Sequence, residues 1–118
     1  MMIGGTDIVA FSKEHADRVA HSHLKDVNDA MAKKVRNHEV TYYDAMLAGL
    51  YTPLGQGDAN IGEIVRNLIK AGYEGWFVLE QDNALSAEPA DGAGPFADAK
   101  ASVEFLRGVL AELEREGF

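Results

Sequence analysis

Between Asn60 and Glu80 the chain writes a complete helix–turn–strand unit, and that unit constrains the fold more than any other segment. Ile61, Ile64, Val65, Leu68 and Ile69 recur at i, i+3, i+4, i+7 and i+8, the spacing of one apolar helix face. Asn60 is a capping residue type, and Glu63 three positions later completes a box-like pattern. Gly72 stands where a left-handed terminator belongs. Gly75-Trp76-Phe77-Val78-Leu79-Glu80 follows. Its four consecutive apolar residues predict a strand buried on both faces, with Trp76 in the core, as in a parallel sheet covered by helices.

A partner strand is predicted at Val19–Leu24, β-branched at its start and followed by turn-forming Asp26, Asn28 and Asp29. Two strands joined through a helix form a right-handed β-α-β unit with parallel strands. Alternation along the first strand sets His21, His23 and Lys25 on one face and Ala20, Ser22 and Leu24 on the other. The other elements are simpler. A short helix is predicted over Asp7–His15, capped by Thr6 or Asp7. Met31–Val35 reads as helical. Thr41-Tyr42-Tyr43-Asp44 fits a capping box, and Tyr43, Met46, Leu47 and Leu50 continue it at helical spacing, so residues 30–51 form an inserted excursion. Residues 52–58 and 81–95 are loops by composition. The last helix runs over Phe96–Glu116, with Phe96, Ala99, Val103, Leu106, Leu110 and Leu113 as its buried stripe and Gly117 as its end. The fold class is α/β, with two parallel strands and flanking helices.

At 118 residues this is a single small domain. A formal net charge of −8 argues against a phosphate backbone or an anionic membrane surface as partner. The absence of cysteine excludes a disulfide framework, a thiolate zinc site and a cysteine nucleophile, and suits the cytoplasm. No apolar run approaches the roughly 20 residues of a membrane span, and residues 1–7 lack the pattern of a signal peptide. Gly55-Gln56-Gly57 lacks the Lys-Ser/Thr of a P-loop and the third glycine of a dinucleotide fingerprint.

Parallel α/β sheets bind ligands at the carboxyl ends of their strands. The first strand ends in His23, Lys25 and Asp26, the second in Glu80, Gln81 and Asp82. An imidazole and a carboxylate brought side by side suit Mn²⁺, Mg²⁺, Co²⁺, Fe²⁺ or Zn²⁺, with no preference for sulfur. Plainer roles exist for the same residues. His23 can be a hydrogen-bonded strand histidine, Glu80 a solvated strand end, and Lys25–Asp26 a local ion pair worth about 0–1 kcal/mol. His15 and His38 are expected on the surface.

Three blocks carry a resemblance: His21-Ser22-His23-Leu24-Lys25-Asp26-Val27, then Pro53-Leu54-Gly55-Gln56-Gly57-Asp58, then residues 71–82 ending in Glu80-Gln81-Asp82. In order and spacing they resemble the xylose-isomerase-like sugar isomerase/epimerase superfamily, and within it the inosose dehydratase group of inositol catabolism. The excursion Asp44–Tyr51 is similar to that group as well. The resemblance implies the C-terminal part of a (β/α)₈ barrel, with its seventh and eighth strands, as one incomplete TIM-barrel-like domain over 1–118.

It also implies His23 and Glu80 as metal ligands, Glu80 and Lys25 as catalytic groups, and His21, Lys25 and Asp82 against a polyol or keto-sugar substrate. The metal would be Mn²⁺, Co²⁺ or Mg²⁺. The Glu and Asp that complete such sites belong to the fifth and sixth strands, and the sequence is expected to start after these. Asn28-Asp29 stands where many epimerases carry an arginine. Two ligands make a weak site, so the chain alone is expected to bind Mn²⁺ weakly or not at all. Its unpaired sheet edges predict a homo-oligomer or a complementing barrel half. The alternative function is that of a non-catalytic truncated paralogue acting as an oligomerising or binding domain.

Overall fold

The helix that opens at Ile61 packs its apolar stripe against one face of a two-stranded parallel sheet, and the last helix closes the same layer. A computed structural model describes all 118 residues. The helices are α1 (Ile8–Glu14), α2 (Asp29–Arg36), α3 (Tyr42–Leu47), α4 (Ile61–Lys70) and α5 (Pro95–Glu116). The strands are β1 (Ser22–Leu24), β2 (Asp26–Val27), β3 (Tyr51–Thr52) and β4 (Phe77–Leu79). β1 pairs parallel with β4 in the register Ser22↔Phe77, His23↔Val78, Leu24↔Leu79. β2 pairs antiparallel with β3, a small second sheet at the base of the excursion. No helix is long and apolar enough to cross a membrane.

The main core lies between sheet and helices. Leu24, Ile61, Val65, Leu106, Val109 and Leu113 are its centre, with Phe77 and Leu79 packed against it. A second cluster of Val27, Ala32, Ala45 and Leu50 holds the excursion together. A third, of Ala16, Leu68 and Tyr73, seals the end of α4. Local caps define several boundaries. Asp7 Oδ1 accepts from Ala10 N–H, Asn28 Oδ1 from Met31 N–H, and Thr41 Oγ1 from Asp44 N–H. The box at Thr41 closes through its own hydroxyl, which donates to Asp44 Oδ2 at 2.7 Å.

Several expectations need correction. Asp26 and Thr52, expected in a turn and a loop, pair as parts of β2 and β3. Ala99, expected in the buried stripe of the last helix, is exposed. The first strand begins at Ser22 rather than Val19, because Ala16–Arg18 form a 3-10 turn and β4 offers a partner only from Trp76 onward. Asn60 does not cap α4 through its side chain; it adopts a left-handed conformation, φ 53°, and no side-chain bond forms. Trp76 is 78% exposed, since the sheet is covered on one face only. Phe96 is 67% exposed, because the first turns of α5 run past the end of the sheet, and burial begins at Ser102.

The chain is less compact than a closed domain of its length. The radius of gyration is 15.1 Å, against about 13.5 Å for a compact domain of this length. The accessible surface is 7358 Å², against about 6,300 Å² for a monomer of this mass. The excess is roughly 1,000 Å², spread over the open face of the sheet, residues 81–95 and the start of α5.

Candidate active site

The register of the parallel pair places the functional side chains. His23 stands opposite Val78 on the uncovered face. The same alternation carries His21 and Trp76 before that pair and Lys25 and Glu80 after it. Leu24 and Leu79, one step off, point into the core. Parity therefore sends Leu24, Phe77 and Leu79 to the core, and His21, His23, Lys25 and Glu80 to the open face beside Trp76 and Val78.

Lys25 is the hub at the carboxyl ends of the strands. Its Nζ lies 3.0 Å from Glu80 Oε1 and also donates to Asp82 Oδ2. Glu80 turns its other oxygen, Oε2, toward His23 Nδ1 at 3.4 Å. His21 stands apart from the carboxylates, exposed, its ring edge-on to His23 at 5.1 Å. A cleft of about 560 Å³ runs along the free edge of β1, between that strand and α1, and reaches His21, His23, Lys25, Tyr51 and Glu80. Ser22 donates its N–H to Trp76, and Leu24 accepts from Glu80 N–H. The backbone groups of His21, His23 and Lys25 therefore face the opposite edge and the cleft.

Burial alone would lower the Lys25 pKa. The hydrogen bonds that Lys25 donates to Asp82 and Glu80, with the charges of those carboxylates, outweigh it and raise the value above 10.5. The folded state thus favours the ammonium. That contribution is complete below the unfolded value and is lost as pH rises through the folded one. Tyr51 acts in the same sense: burial, its bond with Tyr42 and the nearby carboxylates push its phenol well above 10.0. Urea midpoints should hold up to about pH 10 and fall above it. Lys25→Met should flatten part of that fall, and an identical profile in the variant would count against the cluster.

Asp26 is not the partner of Lys25. It is 1% exposed, and its carboxylate accepts from the N–H groups of Val27, Gly55, Gly57 and Ala59. It pins the loop after β3 beneath the site. Sequence reasoning also missed Tyr51, whose ring lies 4.8 Å from Lys25 Nζ. The only signal for it was an aromatic beside a threonine at the end of the excursion.

His23 and Glu80 suit a divalent metal in kind and fall short in number. No group of three or more His, Cys, Asp or Glu side chains comes together as a metal site. Two donors are one fewer than a catalytic metal takes from protein.

A family model described as xylose isomerase-like TIM barrel matches residues 1–109. The chain belongs to this family. Within its barrel fold, a parallel strand pair with helices on one face is a partial set of β/α units. Among curated relatives, an inosose dehydratase of Geobacillus thermodenitrificans is 35% identical over 109 residues, 91% of this chain and 34% of the relative. The rhizopine catabolism protein MocC of Rhizobium meliloti is 38% identical over 78 residues, 66% of this chain and 24% of that protein. An inosose dehydratase of Lactiplantibacillus plantarum is 30% identical over 106 residues, 90% of this chain and 34% of the relative. The chain thus spans about a third of the length of the curated relatives it matches. No solved structure matches it.

Proposed function

We infer that this chain forms one incomplete barrel domain that supplies part of the active site of a divalent-metal-dependent cyclitol or sugar dehydratase or isomerase, acting on a substrate such as inosose. The observation that carries the reading is the convergence of His23, Lys25, Glu80 and Asp82 at the carboxyl ends of paired parallel strands. The names of the relatives support the substrate class. The remaining β/α units, on further polypeptide, cover the open face and the free edge of β1. The excess surface and the span of a third of the relatives support that arrangement. An activity on free polyols and a chain without cysteine suit the cytoplasm.

In this reading Glu80 removes the proton beside the substrate carbonyl, and the β-hydroxyl leaves as water once protonated. Lys25 is the donor of that proton, held charged by Asp82 and Glu80. His21 and Asp82 bind substrate hydroxyls. A Mn²⁺, Co²⁺ or Mg²⁺ ion, held by His23, Glu80 and donors from the other units, would polarise the carbonyl.

The test is reassembly. Inosose dehydration is assayed with Mn²⁺ or Co²⁺, with this chain alone and with a polypeptide carrying the other six β/α units. Turnover and tight metal binding are expected only in the mixture. A tight, stoichiometric Mn²⁺ site in the monomeric chain would refute the missing-ligand account. A stable association with no turnover would favour the alternative of a non-catalytic binding domain.

A further inference from the structure

The excursion between β2 and β3 sends one side chain into the cleft that none of these roles uses. Tyr51 is carried by β3, whose pairing with Val27 fixes its backbone two residues beyond Lys25. The Lys25 ammonium sits over its ring, 4.8 Å from the centroid. The Tyr51 hydroxyl meets that of Tyr42 at 2.6 Å, and the two rings stand edge-on, 6.3 Å apart. Tyr42 opens α3, whose start is pinned by the Thr41–Asp44 box.

An ammonium has three N–H donors. Glu80 and Asp82 take two. Both carboxylates are more than a third exposed, 38% and 39%, so water competes for them, and the four-carbon stem of lysine is flexible. An aromatic face attracts the cation without offering a hydrogen bond that water could replace. We propose that Tyr51 is a positioning residue for the active site, its ring, braced by Tyr42, holding the Lys25 ammonium against Glu80 and Asp82 with one donor left for the substrate. This rests on the reading of Lys25 as a catalytic group. It gives the excursion a purpose beyond its own cluster of Val27, Ala32, Ala45 and Leu50.

The experiment is NMR on the full chain, following the ε-methylene protons of Lys25. In the wild type they should be shifted upfield by the Tyr51 ring and show cross-relaxation with its protons. Tyr51→Phe keeps the ring and should keep the shift. Tyr51→Leu should lose it, leaving Lys25 with the averaged signals of an exposed lysine such as Lys34. A folded Tyr51→Leu chain with unmoved Lys25 signals overturns the proposal. If that variant does not fold, the wild-type cross-relaxation decides: present, it supports the contact; absent, it overturns it. In the reassembled enzyme Tyr51→Leu should lower kcat about tenfold with KM little changed, and Tyr51→Phe should restore most of the rate. Equal rates for Leu and wild type would count against positioning. Failure of the reassembled enzyme to turn over would sink the functional reading instead, because the NMR readout involves no turnover.

Discussion

Glu80→Gln in the reassembled enzyme is expected to lower kcat by about 10²–10⁴-fold, the range that a positioned acid–base group contributes. The amide is nearly isosteric and still accepts from Lys25 Nζ, now 3.0 Å from Oε1, so folding and assembly should survive. What disappears is a carboxylate that can take a proton. His23→Ala should act differently. It removes a donor 3.4 Å from Glu80 and should weaken metal affinity by more than the roughly 10–100-fold that outer-shell partners cost. Both variants weaken a metal donor, so the rates are compared at saturating Mn²⁺. There His23→Ala should regain more of its rate than Glu80→Gln, which has lost the proton acceptor whatever the metal occupancy. A Glu80→Gln enzyme within about threefold of wild type would remove Glu80 from the chemistry.

The second large effect is structural. Asp26→Ala is expected to cost about 3–5 kcal/mol, because each buried donor left without an acceptor costs about 1–3 kcal/mol and loop relaxation recovers only part of it. Four backbone N–H groups, of Val27, Gly55, Gly57 and Ala59, lose their acceptor at once. A domain of this size has of order 10 kcal/mol in total. The melting midpoint should therefore fall by about 10 °C or more, or folding should fail. Gly57→Ala attacks the same arrangement from the other side. A Cβ there would stand 2.5 Å from Asp26 Oδ1 and 2.7 Å from Thr52 Oγ1, so the carboxylate must move. Circular dichroism melts of both variants check this. An Asp26→Ala chain melting within about 2 °C of wild type would mean that water replaces the carboxylate.

The sequence was most legible where structure is local. The stripe of α4 packs as its spacing dictates, with Ile61, Val65 and Leu68 buried. The Thr41 box and the Asp7 cap form where short-range chemistry places them. Parity along β1 sorted His23 from Leu24 because side chains alternate on any strand. The same reading failed at Asn60, Trp76 and Phe96. Residue type and periodicity say which side chains prefer burial. They do not say whether a covering layer exists, nor which backbone conformation a loop imposes on the first residue of a helix.

The amino-acid sequence by itself determined the order of the helices and of the parallel pair β1 and β4, though not the small β2–β3 sheet, and the presence of His23 and Glu80 at two strand ends. Only the tertiary structure decided the contacts that give those ends their character. Lys25 reaches Asp82 across 57 positions, Asp26 reaches Ala59 across 33, and Tyr51 comes under Lys25 because β2 and β3 pair. Local preferences act over a few residues. Which carboxylate meets an ammonium and which meets backbone N–H groups is set by chain segments brought together only when the apolar faces pack.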